Sequence, residues 1–264
     1  MHGLGNDFVI LDARDGAIEM DEGRARAIAD RRTGVGCDQL ILLEPSQRAD
    51  VRMRIWNADG GEVEACGNAA RCVALLEGGE TSIETKSGII HASANGSAAT
   101  IDMGAPRFGW DEIPLAAPAD TLALDLALGP LERPVALNIG NPHVVFFAPD
   151  AEAVPLAELG PELEHHPMFP ERANIGVIEV RDPRTLRVRV WERGVGLTTA
   201  CGSGACAALV AAARRGLAER SAKVLLDGGA LRIAWNEADH VLMTGGAMHS
   251  FRGRLDPEML ADAA

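Results

Sequence analysis

Cys66 and Cys201 are the residues whose surroundings point most directly at chemistry. Cys201 stands in Trp191-Glu192-Arg193-Gly194-Val195-Gly196-Leu197-Thr198-Thr199-Ala200-Cys201-Gly202-Ser203-Gly204. Cys66 ends a twin of that stretch, Trp56-Asn57-Ala58-Asp59-Gly60-Gly61 and then Ala65-Cys66-Gly67-Asn68. The Trp, the second Gly and the Ala-Cys-Gly fall in matching places. Each cysteine opens a small-residue run that becomes helical, so its thiol lies beside orphan backbone amides and the positive end of a helix dipole. Such a setting lowers a thiol pKa from about 8.5 toward roughly 3.5 to 7.5, and it cradles an anion such as a substrate carboxylate. Two cysteines so related suggest a thiolate and a thiol working on one small molecule from opposite faces. That arrangement inverts a stereocentre, because one face loses a proton while the other gains one. Cys37, Cys72 and Cys206 read as small packed core residues.

Polar residues recur on the same turns. Asn57 and Glu192 end twin strands nine residues before their cysteines, and Arg193 follows Glu192. Asn6 and Asn141 follow a glycine at twin loop starts, and Gln39 and Asn174 begin twin strands. An isolated Asn after Gly is ordinary turn chemistry. Three positions recurring in both copies point to a common crevice. His143, in the Asn141-Pro142-His143 loop, and Glu192 are the candidates for activating a thiol, since a neighbouring base is needed to make thiolate at neutral pH. The other histidines read as structural or solvated.

The elements that must position these residues come in duplicate. At a constant spacing of 135 residues (Cys66 to Cys201), Gly5-Asn6 matches Gly140-Asn141, and Val51-Arg-Met-Arg-Ile-Trp56 matches Leu186-Arg-Val-Arg-Val-Trp191. Chance does not hold one register over some seventy residues, so the chain is read as a duplication. The alternation in 51–56 predicts a strand with Val51, Met53 and Ile55 inward and Arg52, Arg54 and Trp56 outward. Helices are expected from an Asp21 cap, from about Gly67 to Leu76, over 155–164, and over 203–214, the last apolar almost all round, as in a helix wrapped by a sheet. Short strands with Ser-Gly and Asn-Gly turns fill the rest. The fold class is α/β (α+β), with two pseudo-symmetric domains, residues 1–110 and 111–249. Residues 104–118, with three prolines, read as the linker, and 250–264 as a return onto the first domain.

At 264 residues and 47% hydrophobic content, both domains can build a core. A net charge of −13 argues against nucleic acid as partner. The five cysteines contain no Cys-x-x-Cys pair, so neither a disulfide framework nor a zinc site reads well, and no metal or cofactor is expected. No apolar run approaches a membrane span and no signal segment opens the sequence, so a cytoplasmic protein without membrane contact is expected.

Taken together, His2-Gly3-Leu4-Gly5-Asn6-Asp7-Phe8, Asn57-Ala58-Asp59-Gly60, Cys66-Gly67-Asn68, Gly140-Asn141-Pro142-His143, Ala173-Asn174, Trp191-Glu192-Arg193-Gly194 and Ala200-Cys201-Gly202 resemble the diaminopimelate epimerases. These are pyridoxal-independent amino acid epimerases of lysine and peptidoglycan precursor synthesis. The resemblance implies two domains, each a curved, mostly antiparallel sheet around a central helix, with the substrate in the cleft between them. It implies conversion of LL-diaminopimelate to the meso form without a cofactor, in a homodimer. It assigns Cys66 and Cys201 as the acid/base pair, supported by His143 and Glu192. Asn6, Gly67, Asn68, Gly202 and Ser203 would hold the amino acid group being inverted, and Asn57, Asn141, Asn174 and Arg193 the distal end. A guanidinium fork suits that distal carboxylate, and the length of this set favours diaminopimelate over a proline-sized substrate. Members usually carry a short strand before His2, Glu in place of Leu197 and Gly in place of Ala69.

Overall fold

The computed structural model describes residues 1–16, 18–64, 66–256 and 259. The chain forms two compact units, residues 1–101 with the chain from 245 onward, and residues 102–244. One order of elements appears in both, in a mixed α/β fold whose strands pair mostly antiparallel.

In the first unit β1 (His2–Gly3) and β2 (Asn6–Asp12) form a hairpin. Its turn residues Leu4 and Gly5 both have positive φ, 54° and 88°, the requirement of the hairpin turn that matches strand twist. Helix α1 (Glu22–Ala29) starts on Asp21, whose carboxylate accepts the Arg24 amide at 2.8 Å. It carries the chain to β3 (Gln39–Glu44), parallel to β2, and β4 (Val51–Asn57) returns antiparallel. Leu40 to Leu43 are all buried, as a strand covered on both faces requires.

The alternation in β4 places Val51, Met53 and Ile55 inside, as expected. Trp56 departs from it. Its ring lies opposite Leu40 and is buried against Ala25 and Ile28, because α1 covers the face that would otherwise be solvated. After β5 (Glu62–Val63), helix α2 (Gly67–Glu77) packs against β1, β6 (Gly79–Thr85) and β7 (Gly88–Asn95), and β8 (Ala98–Asp102) lies beside β7. The returning chain joins this unit where Met248 and His2 exchange backbone hydrogen bonds of 2.8 and 2.9 Å. Leu255 and Met259 then pack beside the cluster of Ile28, Leu40 and Trp56. Of the expected return over 250–264, residues 257, 258 and 260–264 lie outside the described residues.

The second unit begins with residues 102–126 and the small hairpin of β9 (Ala127–Leu128) and β10 (Leu131–Glu132). Ile113 and Leu115, within the segment expected as a linker, are buried in this unit's core with Val144, Phe146 and Leu163. The prolines of that segment alternate with apolar side chains, which gives it something to bury. The duplicated order follows: β11 (Val135–Asn138), β12 (Pro142–Phe147), α3 (Leu156–Glu164), β13 (Asn174–Asp182), β14 (Thr185–Glu192) and β15 (Gly196–Thr198). Helix α4 (Gly202–Arg214), β16 (Ser221–Leu226), β17 (Gly229–Trp235) and β18 (Val241–Gly246) complete it. As in the first unit, one parallel pair (β12 with β13) is followed by an antiparallel partner, β14, which then pairs parallel to the strand after the helix.

Helix α4 is buried from Gly204 to Ala212 and packs against β11 to β14, β16 and β17. Its position therefore depends on apolar packing around its whole circumference. Truncating Leu209, fully buried at its centre, should cost about 2–5 kcal/mol, the range for removing a buried leucine side chain. Urea denaturation of Leu209→Ala against the parent checks it.

Candidate active site

Both cysteine turns take the same local form. Cys66 is the N-cap of α2 and Cys201 the N-cap of α4, each with extended backbone (φ −147° and −113°). Their carbonyls accept the first helical bonds, from Ala70 at 2.9 Å and Ala205 at 3.0 Å. Neither position is apolar filler in the middle of a helix, whereas Cys72 and Cys206 are buried further along. Burial pushes the Cys72 thiol up to about 11, which suits a packing role.

Around Cys66, the second helical residue Asn68 is buried and donates Nδ2 to Asn6 Oδ1 at 2.6 Å. Its own Oδ1 is buried with no hydrogen-bond partner among the described residues. Asn6 in turn donates to Asp38 Oδ2 at 3.3 Å. Asp38 is tied to Asp7 through its backbone amide at 2.7 Å, and the Arg31 guanidinium binds both acids at 2.7 and 2.8 Å. That guanidinium holds the Asp7 carboxyl below its ordinary value. The cluster fixes the Asn6 loop, and sequence reasoning missed Asp38 because an acid beside a strand looks like surface charge. Gln39 and Asn57 are direct cross-strand partners, Gln39 Nε2 donating to Asn57 Oδ1 at 2.9 Å.

Cys201 is buried, and its surroundings are different. Gly204 donates its amide to Sγ at 3.4 Å and the Ser203 hydroxyl lies 3.7 Å away, both of which favour thiolate. Burial opposes them, and so does the Glu192 carboxylate, which repels a thiolate and accepts a hydrogen bond from the thiol. The opposing pair wins and the thiol is pushed well above its ordinary value. The helix N-terminus does not lower the Cys201 thiol, whereas its setting in the sequence predicts a lowered one. Glu192 itself takes a 2.5 Å hydrogen bond from the Thr198 hydroxyl. Thr198 escaped notice because a threonine in a short strand carries no signal by itself.

The remaining candidates of this unit form a second group, joined to the first by the Glu192–Arg193 peptide. His143 is buried and hydrogen-bonds through Nε2 to Asn141 Oδ1 at 2.8 Å, rather than to the thiol of its own unit. Burial, with the Arg193 charge adding to it, lowers His143 to about 3, so the ring is neutral at physiological pH. Asn174 faces His143 across the parallel pair, donates Nδ2 to Pro142 O at 2.9 Å and accepts the Arg193 amide at 3.0 Å. Those two bonds leave it one N–H and one acceptor lone pair for a ligand. The Arg193 side chain is exposed and donates once, to Glu171 O at 3.1 Å, which leaves most of its guanidinium available. Gly202 and Ser203 form the first turn of α4. Leu197 is exposed on the side of β15 away from Thr198, and Ala69 is fully buried in α2.

Solved structures share this fold. A probable proline racemase from Agrobacterium radiobacter superposes with a TM-score of 0.65 at 15% identity, covering 99% of this chain and 93% of the other. A phenazine biosynthesis protein of the PhzF family from Bacillus anthracis gives 0.62 at 19%, covering 93% and 92%. The sequence is more specific. The diaminopimelate epimerase family model matches residues 1–109 and 135–250. Diaminopimelate epimerases of Erythrobacter litoralis and Rhizorhabdus wittichii are 57% and 56% identical, each over 97% of this chain and over 96% and 94% of their own lengths. The chain belongs to the diaminopimelate epimerase family, a family of isomerases.

The charge of Glu192 should be visible at Cys201. Removing it in Glu192→Gln lowers the thiol pKa, so at any pH between 7 and 10 more thiolate is present and iodoacetamide labels Cys201 faster. Peptide mass spectrometry across that range reads the effect as a downward shift of the labelling midpoint.

Proposed function

We propose that this protein interconverts LL- and meso-diaminopimelate by two-base proton transfer, with Cys66 and Cys201 as the two bases and no cofactor. The pair of cysteine N-caps on duplicated helices carries the reading, together with membership of the family. A thiolate removes the α-proton from one face of the amino acid, and the thiol of the other cysteine protonates the opposite face. Cys201, held as a thiol by burial and by Glu192, is the proton donor in the direction that starts from this state. The reverse direction exchanges the roles.

The substrate's reacting carboxylate suits the first-turn amides of Gly67, Asn68, Gly202 and Ser203, where helix N-termini favour negative charge. Charge that develops on that carboxylate as the α-proton leaves is stabilised by the same amides. The Asn68 Oδ1, buried and without a hydrogen-bond partner among the described residues, offers an acceptor to the α-ammonium group. Asn6, through its bond to Asn68, orients that acceptor. Arg193 takes the distal carboxylate, with Gln39, Asn57, Asn141 and Asn174 supplying amide groups to the distal amino acid. His143, neutral and hydrogen-bonded to Asn141, orients that carboxamide. Among the described residues no helix is long and apolar enough to cross a membrane. A cytoplasmic homodimer is the assembly this reading includes, with light scattering of the purified protein as its check.

In deuterated water the wild type should incorporate deuterium at the α-carbon as it epimerises the substrate. Cys66→Ala and Cys201→Ala should each lower kcat/KM by about 10³-fold or more, as expected when one member of a catalytic pair acting as a unit is lost. Epimerisation without solvent deuterium, or full activity in both variants, would remove the two-base reading.

A further inference from the structure

The turn that carries Glu192 and Arg193 is held from outside by a residue in another element. Glu164, in the last turn of α3, is buried, and its two carboxylate oxygens reach the two sides of that turn. Oε2 accepts the Trp191 indole N–H at 2.7 Å, and Oε1 accepts the Gly194 backbone N–H at 2.8 Å. Trp191 immediately precedes Glu192, and Gly194 immediately follows Arg193. One carboxylate therefore brackets both functional residues.

The indole is itself locked against α3. A Cβ at Gly160 would lie 2.5–2.8 Å from the Trp191 ring, so only glycine lets the helix sit on that face. Gly160 and Glu164 are four residues apart and share one side of α3. On its far side the ring meets Gly196, whose own Cβ position lies 3.6 Å from it. Val195 N–H closes the turn onto Glu192 O at 3.0 Å, and Asn174 holds the Arg193 amide. The charged groups facing Glu164 are Arg172, at 3.8 Å, and His165. Burial alone would raise its carboxyl, but the bonds from Trp191 and Gly194 with these charges hold it below its ordinary value, so it is ionised when the enzyme works.

We propose that Glu164 is a positioning residue: by clamping Trp191 and Gly194 it fixes where the Glu192 carboxylate meets the Cys201 thiol and where Arg193 starts its reach. A carboxylate is needed because both partners are donors. A carboxamide of the same shape has one acceptor oxygen, and its NH2 would confront the other N–H. Burial makes that mismatch expensive, and the turn relieves it by moving. The role in the reaction rests on the two-cysteine reading, whereas the clamp can be tested without it.

Glu164→Gln tests the clamp through Cys201 labelling by iodoacetamide, read across pH 7–10 by mass spectrometry. The expected result is a midpoint shift in the same downward direction as in Glu192→Gln, because the carboxylate is no longer held at the thiol. The double variant should shift no further than Glu192→Gln alone, since both changes remove one effect. A folded Glu164→Gln with an unshifted midpoint, or a double variant in which the two shifts add, overturns the proposal. If Glu164→Gln does not fold, Trp191→Phe replaces it, deleting one donor while leaving the ring between Gly160 and Gly196, and must shift the midpoint in the same sense. In turnover, Glu164→Gln should lose about tenfold in kcat/KM for diaminopimelate, a loss divided between kcat, through Glu192, and KM, through Arg193. A wild type that does not epimerise diaminopimelate ends the functional reading, while the labelling result still decides the clamp.

Discussion

A helix that is apolar around its whole circumference is stable only where sheet surrounds it, and this constraint organises the site. Helix α4 has no polar face to give to water between Gly204 and Ala212, so β11 to β14, β16 and β17 close around it. Its N-terminus then opens at the end of β14, where the strand has just delivered Glu192 and Arg193. The four amides that a helix start leaves without intrahelical partners are thus directed at the same place as the strand-end side chains. The twin arrangement of Cys66, α2 and the end of β4 comes from the same sequence pattern and the same packing logic. The proposed chemistry sits here because both kinds of element end here.

Placing a thiol at such an end does not decide its protonation. The dipole and nearby amides act over a short range and together contribute at most a kcal/mol or two, while removing an anion from water costs more. At Cys201 burial takes the larger share and the Glu192 charge adds to it, against one amide at 3.4 Å and one hydroxyl at 3.7 Å. The result is a thiol with a carboxylate already at its proton. A thiol of this kind keeps its proton, as the donor in the proposed reaction must, and a neighbouring anion disfavours any state in which both carry charge.

Much of this was legible in the sequence, and the reasons are specific. The cysteine turns were found because duplication turns a weak local pattern into a repeated one. Strand β4 showed its period because Arg52 and Arg54 alternate with Val51, Met53 and Ile55. What escaped depended on tertiary partners. Trp56 breaks the alternation because α1 covers its face. The proline-rich segment before β9 joins the second unit's core through Ile113 and Leu115, which composition alone could not place. That Asn174 also holds Pro142 and Arg193 through its amide could be seen only once those partners were in place. Thr198 and Glu164 gave no signal, since a threonine in a short strand and a glutamate late in a helix are ordinary until their partners are known.

The duplication also explains how equivalent backbone positions came to hold unequal chemistry. At the strand end before the first cysteine stands Asn57, a neutral carboxamide that accepts from Gln39. At the matching place before the second stands Glu192, a carboxylate that accepts from Thr198 and from the thiol itself. The residue matching Gln39 is Asn174, which has turned inward to hold Arg193. An inversion needs one proton acceptor and one proton donor at the start of each turnover, so a perfectly symmetric pair would begin with two groups in the same state. Substituting charge for amide at a single strand end is enough to break that equivalence without altering the scaffold. The fold supplies two like positions, and side chains beyond the helix ends make them different.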